Sequence, residues 1–260
     1  MSDITNAQAL ADIFLQARHD KTALETIPPF LVPTREDQAY RTQDLVARAL
    51  TPELGPVLGW KVGAATPEAE PFGAPIHRNT IVTDKSIIPA DLCHVFGAEA
   101  EIAYRFGQDL PARDAAWTQD EVFAAIATIH PAIEIVDTRF AKFGSQDRLT
   151  HLADQGNHGA MVIGEGLPNW RDFTPTSLPM TMTINGEIAY QKRGGNSAGD
   201  PLRLLVWLAN HASRHGYGIA KGTTIITGST MGSHFVEPGA KIRVEFEGLP
   251  SVETSVSTVK

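Results

Sequence analysis

The sequence predicts an α+β fold in which a mainly helical N-terminal α/β region, residues 1–70, packs on a β-rich catalytic body, residues 71–260. Three observations carry that prediction. Apolar residues recur at helical spacing through roughly the first 60 positions. From Gly59 onward the texture changes to short runs rich in β-branched residues. Asn185-Gly186 then separates two alternating runs, which is a strong two-residue hairpin signal.

In chain order, Ala7, Leu10, Ala11, Phe14 and Leu15 predict a helix over 6–19, and a second over 35–50 follows Thr34 as its N-cap. The β-rich runs are WKVGA, NTIVTDKSII, EAEIAYRF, AIEIV, AMVIG, PMTMTINGEIAYQ, TTIITG, AKIRVEFEG and VETSVS. Two helices interrupt them. Thr118 with Glu121 forms a capping box ahead of an apolar stripe of Val122, Phe123, Ala125, Ile126 and Ile129. Asp200-Pro201 opens the other, which runs through LRLLVWLANHASRH and stops at Gly216. The boundary between the two parts falls softly near residues 55–75.

Composition narrows the partners. With 260 residues, 42% hydrophobic and 20% charged, the chain can bury one large core. A formal net charge of −8 with scattered Lys and Arg gives no basic stripe, arguing against nucleic acid or an anionic membrane surface. No apolar run approaches the roughly 20 residues of a membrane-spanning helix, and the N-terminus lacks a basic region followed by an apolar core, so a cytoplasmic location is expected. The single cysteine, Cys93, excludes an internal disulfide and a Cys-based metal cluster, and reads as inert packing.

The most informative local feature is Glu99 and Glu101 in GAEAEIAYRF. On a strand, residues two apart share a face, so both carboxylates point to one place while Ile102 and Tyr104 face away. Like charges on a half-buried strand call for a cation, and hard oxygen ligands suit Mg²⁺ or Mn²⁺. Glu134, opposite in facing to Ile133 and Ile135, is a third carboxylate in an apolar run. Three carboxylates would leave positions for water and for a bidentate substrate such as a 2-oxo acid. The plain alternative is surface salt bridges for the pair and a Glu134–Arg139 contact.

Lys61 in GWKVG, buried on a strand, is a candidate for holding a carboxylate or moving a proton, or else a lysine snorkelling from a strand end. Thr227, Gly228 and Ser229, in the stretch TGST after TTII, offer backbone N–H groups that can hold a carboxylate, or form a plain loop. His158 and His234 are candidate acids or bases without zinc-ligand spacing. Ser229 lies outside any Gly-x-Ser-x-Gly elbow.

Taken together, DQAYRTQDLVARAL, GWKVGAA, GAEAEIAYRF, HPAIEIVDTR, LADQGNHGAMVIG, SAGDPLRLLVWLAN, KGTTIITGS and EPGAKIRVEFEGLPSVETSV resemble the fumarylacetoacetate hydrolase superfamily, in particular its 2-keto-4-pentenoate hydratase-like hydratase/decarboxylase branch. The segments occur in the family's order and span almost the whole chain. The resemblance implies a predominantly β, barrel-like body with a smaller N-terminal α/β region. It also implies a metal on Glu99, Glu101 and Glu134, Lys61 as the active-site lysine, Thr227-Gly228 as a substrate-facing loop, and a homo-oligomer. Three departures stand out: PFGAPIHRNT, with Arg78 and Asn79, replaces a stretch ending Asp-Met; Asp154-Gln155 replaces Asp-Asn; and Gly199-Asp200-Pro201 replaces Gly-His-Pro.

The expected activity is divalent-metal-dependent addition of water to an unsaturated 2-oxo acid, 2-hydroxypenta-2,4-dienoate-like, giving a 4-hydroxy-2-oxo acid. The rival readings are a 4-oxalocrotonate-type decarboxylase, in which Arg78 would bind the second carboxylate, an acylpyruvate hydrolase, and a non-catalytic scaffold subunit.

Overall fold

The computed structural model describes residues 3–258, so residues 1–2 and 259–260, the outermost positions of the two expected parts, lie outside the described residues. Helix α1 (Asp3–Asp20) buries Ala7, Leu10, Ala11, Phe14 and Ala17 on one face. Helix α2 (Glu36–Leu54) begins at an N-cap that is Arg35 rather than Thr34. Thr34 sits one position too early; its backbone N–H and hydroxyl both donate to Gln38 Oε1, at 2.9 and 3.2 Å. The helix ends at Gly55, whose φ of 77° suits a residue without a Cβ.

The body contains strands β1 (Val57–Gly63), β2 (Phe72–His77), β3 (Ile81–Thr83), β4 (Ile87–Ile88), β5 (Gly97–Phe106), β6 (Ile126–Val136), β7 (His158–Ile163), β8 (Pro179–Ile184), β9 (Glu187–Arg193), β10 (Thr224–Ile226), β11 (His234–Phe235), β12 (Lys241–Phe246) and β13 (Val252–Val256). Helices α3 (Gln119–Ala125), α4 (Arg148–Ala153) and α5 (Leu202–Arg214) lie between them. One eight-stranded sheet runs β2-β1-β10-β5-β6-β7-β3, with β11 added to β5; a five-stranded sheet runs β4-β13-β12-β8-β9. The end strands of the larger sheet, β2 and β3, do not pair with each other, so the expected barrel-like body is instead two open mixed sheets.

Local chemistry explains where the elements differ from expectation. Thr118 caps α3 with the full capping box, yet the helix stops at Ala125 and Ile126 begins β6. Ile126 and Ile129 pair with Phe106 and Tyr104 of β5, and β-branched side chains fit that pleated surface better than a further helical turn. Strand β2 is hidden in the sequence by Gly73 and Pro75, but as an edge strand it tolerates a missing N–H. Helix α4 is short and is capped by Asp147, whose Oδ1 accepts from the N–H groups of Leu149 and Thr150. The hairpin turn has positive φ at Asn185 (54°) and Gly186 (86°), as a primed turn requires. Asp200 accepts from Leu202 N–H at 3.0 Å, with Pro201 between them at the start of α5.

Three apolar clusters result. The largest lies between the sheets and α5, built on Tyr104, Ile133, Leu205, Val244 and Phe246. A second joins Leu10, Phe14 and Val46 of the first two helices to Phe140, Leu152 and Ala153, with Phe14 and Phe140 edge-on at 6.0 Å. Full burial of each such side chain contributes roughly 1.5–3 kcal/mol, so this contact fastens the helices to the body. A buried ionic network reinforces it. Arg18 of α1 lies 3.4 Å from Asp154, which meets Arg139 at 2.7 Å, and Arg139 reaches Asp137 at 3.0 Å. The third cluster is a small plug inside the curve of the large sheet: Ile76, Ala103, Ala132, Met161, Ile163 and Ile226.

Candidate metal centre

Antiparallel pairing of β5 with β6 sets Glu99 opposite Glu134. Two-residue alternation then brings Glu101 to the same face, the one that carries the apolar plug farther along. The three side chains each offer a carboxylate oxygen, and these oxygens all lie within 4.8 Å of one another. Glu101 and Glu134 are 1% and 0% exposed, which rules out solvent as the group that separates their charges.

Lys61 reaches the cluster from β1. Its Nζ stands 2.7 Å from Glu134 Oε1, with the lysine side chain only 12% exposed, so it does not snorkel outward. His158 Nδ1 meets the same oxygen at 3.1 Å, while Thr80 Oγ1 lies 3.1 Å from His158 Nε2. Glu134 Oε1 therefore has two partners and the buried Oε2 has none. Gly228 N–H donates to Glu101 Oε2 at 2.6 Å, and Ser233 Oγ donates to Glu99 Oε1 at 2.5 Å. The Glu134–Arg139 alternative does not form, because Arg139 is committed to Asp137 and Asp154.

The electrostatics follow from this arrangement. Burial, then the neighbouring Glu134 and Glu99, push the Glu101 carboxyl well above the usual range; burial and Glu134 also raise Glu99. Burial alone would raise Glu134 too, but the Lys61 ammonium and the His158 hydrogen bond outweigh it and hold Glu134 low. Lys61 is raised, its losses from burial exceeded by attraction to Glu134 and Glu99. Burial lowers His158 and favours its neutral form. Three carboxylates and one ammonium sum to −3 + 1 = −2 when ionised. A divalent cation matches that charge, the all-oxygen donor set suits Mg²⁺ or Mn²⁺, and the orphaned Glu134 Oε2 supplies a free ligand atom.

The remaining candidates divide. Gly228, with φ of 93°, serves the centre through its backbone. The Thr227 hydroxyl donates to Ile102 O at 2.9 Å and the residue is fully buried, so its side chain holds the loop rather than facing the centre. Ser229 Oγ accepts from Met231 and Gly232 N–H and closes a turn. Arg78 does not join the glutamates. It follows β2 beyond His77, which pairs with Val57, whereas Lys61 pairs with Ala74. It lines a cavity with Arg105 and Thr224, at the opposite end of the strands. His234 pairs β11 to Ala98, outside the carboxylate cluster. Cys93 is buried, and burial raises its thiol, in keeping with inert packing.

Two contributors escaped sequence reasoning. Ser233 lies in an unremarkable loop. Asn196, in GGNSAG, donates through Nδ2 to the carbonyls of Thr227 (2.7 Å) and Gly228 (3.2 Å) and so fixes the loop that holds Glu101. An amide between glycines is a weak signal, and only the fold reveals its target.

The family model for Fumarylacetoacetate (FAA) hydrolase C-terminal matches residues 74–257. The chain belongs to the fumarylacetoacetate hydrolase family. Among relatives of this family member, the 2-keto-4-pentenoate hydratase of Paraburkholderia xenovorans (strain LB400) is 29% identical over 226 residues, covering 84% of this chain and 82% of its own. A 4-oxalocrotonate decarboxylase of Pseudomonas putida is 32% identical over 132 residues, 51% of this chain and 50% of its own. In fold, the chain is similar to the 4-oxalocrotonate decarboxylase from Pseudomonas putida G7 complexed with magnesium and adipate. The TM-score is 0.85 at 23% identity, over 98% of both chains. Among the described residues, no helix is long and apolar enough to cross a membrane.

Proposed function

We propose that this family member is a divalent-metal-dependent hydratase that adds water to an unsaturated 2-oxo acid and yields a 4-hydroxy-2-oxo acid. The observation that carries the reading is the trio of Glu99, partly buried, with the buried Glu101 and Glu134, and Lys61 on Glu134. Glu99, Glu101 and Glu134 would hold Mg²⁺ or Mn²⁺. When bound, that ion supplies Lewis-acid polarisation of the 2-oxo group.

The chain's own residues supply the rest. Lys61 brings a positive charge to where a substrate carboxylate would approach the cluster, and its Nζ, hydrogen-bonded to Glu134, is placed to give or take a proton. His158 fixes the orientation of Glu134, and Gly228 N–H fixes that of Glu101. Water addition places hydroxyl on C4 and a proton on C3 of the unsaturated ketone, so no redox partner is required.

A 4-oxalocrotonate-type decarboxylase is the second reading, favoured by the 32% identity of the Pseudomonas putida relative over half the chain. Its need for a group to hold a second carboxylate is not met by Arg78, which lies at the other end of the strands.

The test is turnover of 2-hydroxypenta-2,4-dienoate, 4-oxalocrotonate and acylpyruvates by purified protein with Mg²⁺ or Mn²⁺. Hydration of the first is expected; turnover of acylpyruvates alone would reject the assignment. The metal requirement is checked separately from activity. Mg²⁺ or Mn²⁺ should raise the melting temperature of the parent and leave that of Glu101→Ala unchanged. A parent protein that shows no shift would favour the non-catalytic scaffold.

A further inference from the structure

The concave side of the large sheet has two polar ends separated by the apolar plug. Alternation along β5 puts Glu99, Glu101, Ala103 and Arg105 on one face; Ala103 belongs to the plug, and Arg105 emerges beyond it. Glu101 and Arg105 are thus four residues, or roughly 13 Å, apart along the strand. At the Arg105 end lies a cavity of about 640 Å³ lined by Leu58, Arg78, Asn79, Ile81, Arg105 and Thr224, together with Gly222.

No acidic side chain lines this cavity, although the chain carries 30 Asp and Glu against 22 Lys and Arg. Among the described residues, neither Arg78 nor Arg105 forms an ion pair, in contrast to Arg35, Arg113, Arg139 and Arg243. Arg105 donates through Nε to Thr224 Oγ1 at 3.1 Å, a bond that fixes the guanidinium while leaving its terminal nitrogens for a ligand. Asn79 is held in turn by its Nδ2 bond to Glu53 O at 3.1 Å.

We propose that this cavity is a second binding site, for a small organic dianion. Two guanidinium groups supply planar, bidentate donors that match a phosphate or carboxylate, and Leu58 and Ile81 offer apolar wall to an attached carbon skeleton. The volume exceeds that of a bare oxyanion and falls in the range of about 300–1,000 Å³ typical of small-molecule sites. The plug keeps the ligand apart from the carboxylate cluster, so the site works whether or not a metal is bound.

The test uses full-length protein treated with a chelator, so that no anion binds through a metal. Inorganic phosphate, succinate and chloride are titrated separately at matched ionic strength, following melting temperature. A saturable rise with phosphate or succinate, absent with chloride, is expected. Response to phosphate alone identifies a phosphate ester as the ligand class, and response to succinate alone a dicarboxylate. Arg78→Gln, an exposed change that leaves packing intact, should raise the half-saturating concentration about tenfold, the loss of one charge-assisted contact. Arg105→Gln should do so at least as strongly. Absence of a saturable rise with either dianion, or a rise that both variants leave unchanged, would overturn the proposal.

Discussion

Glu134 carries two bonds on one carboxylate oxygen and none on the other, and this asymmetry leaves an oxygen available to a ligand that a completed ion pair would not. A different residue-scale consequence concerns His211 on α5, packed between the rings of Tyr40 and Trp207 and against His215, each 4.4 Å away. Burial, then the neighbouring His215 and Arg214, lower its pKa to about 3. Because the folded value lies below the unfolded one, the unfolded chain binds the proton more readily. The stabilising effect is complete above about pH 6.5 and is lost as pH falls toward 3. Between about pH 7.5 and 5 this amounts to roughly 2 kcal/mol. Urea unfolding at both pH values should show a shallower pH dependence in His211→Gln than in the parent, and equal slopes would contradict the assignment. Asp44, paired with His215, Glu70, which accepts from the Trp207 indole, and Glu36, whose charge acts on Tyr40, are acids around this stack.

At the scale of elements, the capping box on α3 is the clearest case of a local rule operating as written. Thr118 Oγ1 accepts from Glu121 N–H while Glu121 Oε2 accepts from Thr118 N–H at 2.8 Å. Thr118→Ala should cost about 1 kcal/mol in chemical denaturation, and a change near zero would show that β6 alone holds the segment. Where the sequence was legible, the reason was local: Glu99 and Glu101 share a face by alternation, and Asn185-Gly186 dictates its own turn. Where it was not, the cause was register or reach. No local pattern states that Glu134 falls opposite Glu99, that Lys61 spans from β1 to Glu134, or that Thr227 turns its hydroxyl to Ile102 O. Arg78 shows the same limit. Its identity suggested an anion contact, but its place is set by β2, an edge strand obscured by Gly73 and Pro75.

For the whole molecule, the Arg18–Asp154–Arg139–Asp137 network ties the first helix to the sheet body through a half-buried Arg18 and three buried partners. Asp137 extends it by accepting the N–H groups of His94 and Val95 on Oδ1, at 2.8 and 3.0 Å. Asp154→Ala would leave two guanidinium groups facing one another without their shared anion. The expected loss is about 3–5 kcal/mol in urea unfolding; a loss below roughly 1 kcal/mol would mean that the Phe14–Phe140 contact alone secures the helices.

The plug of Ile76, Ala103, Ala132, Met161, Ile163 and Ile226 also backs the acidic end. These side chains come from five strands and stand, buried, between Glu101 and Arg105, so the middle of this face is closed to water and the two polar ends open separately to their surroundings.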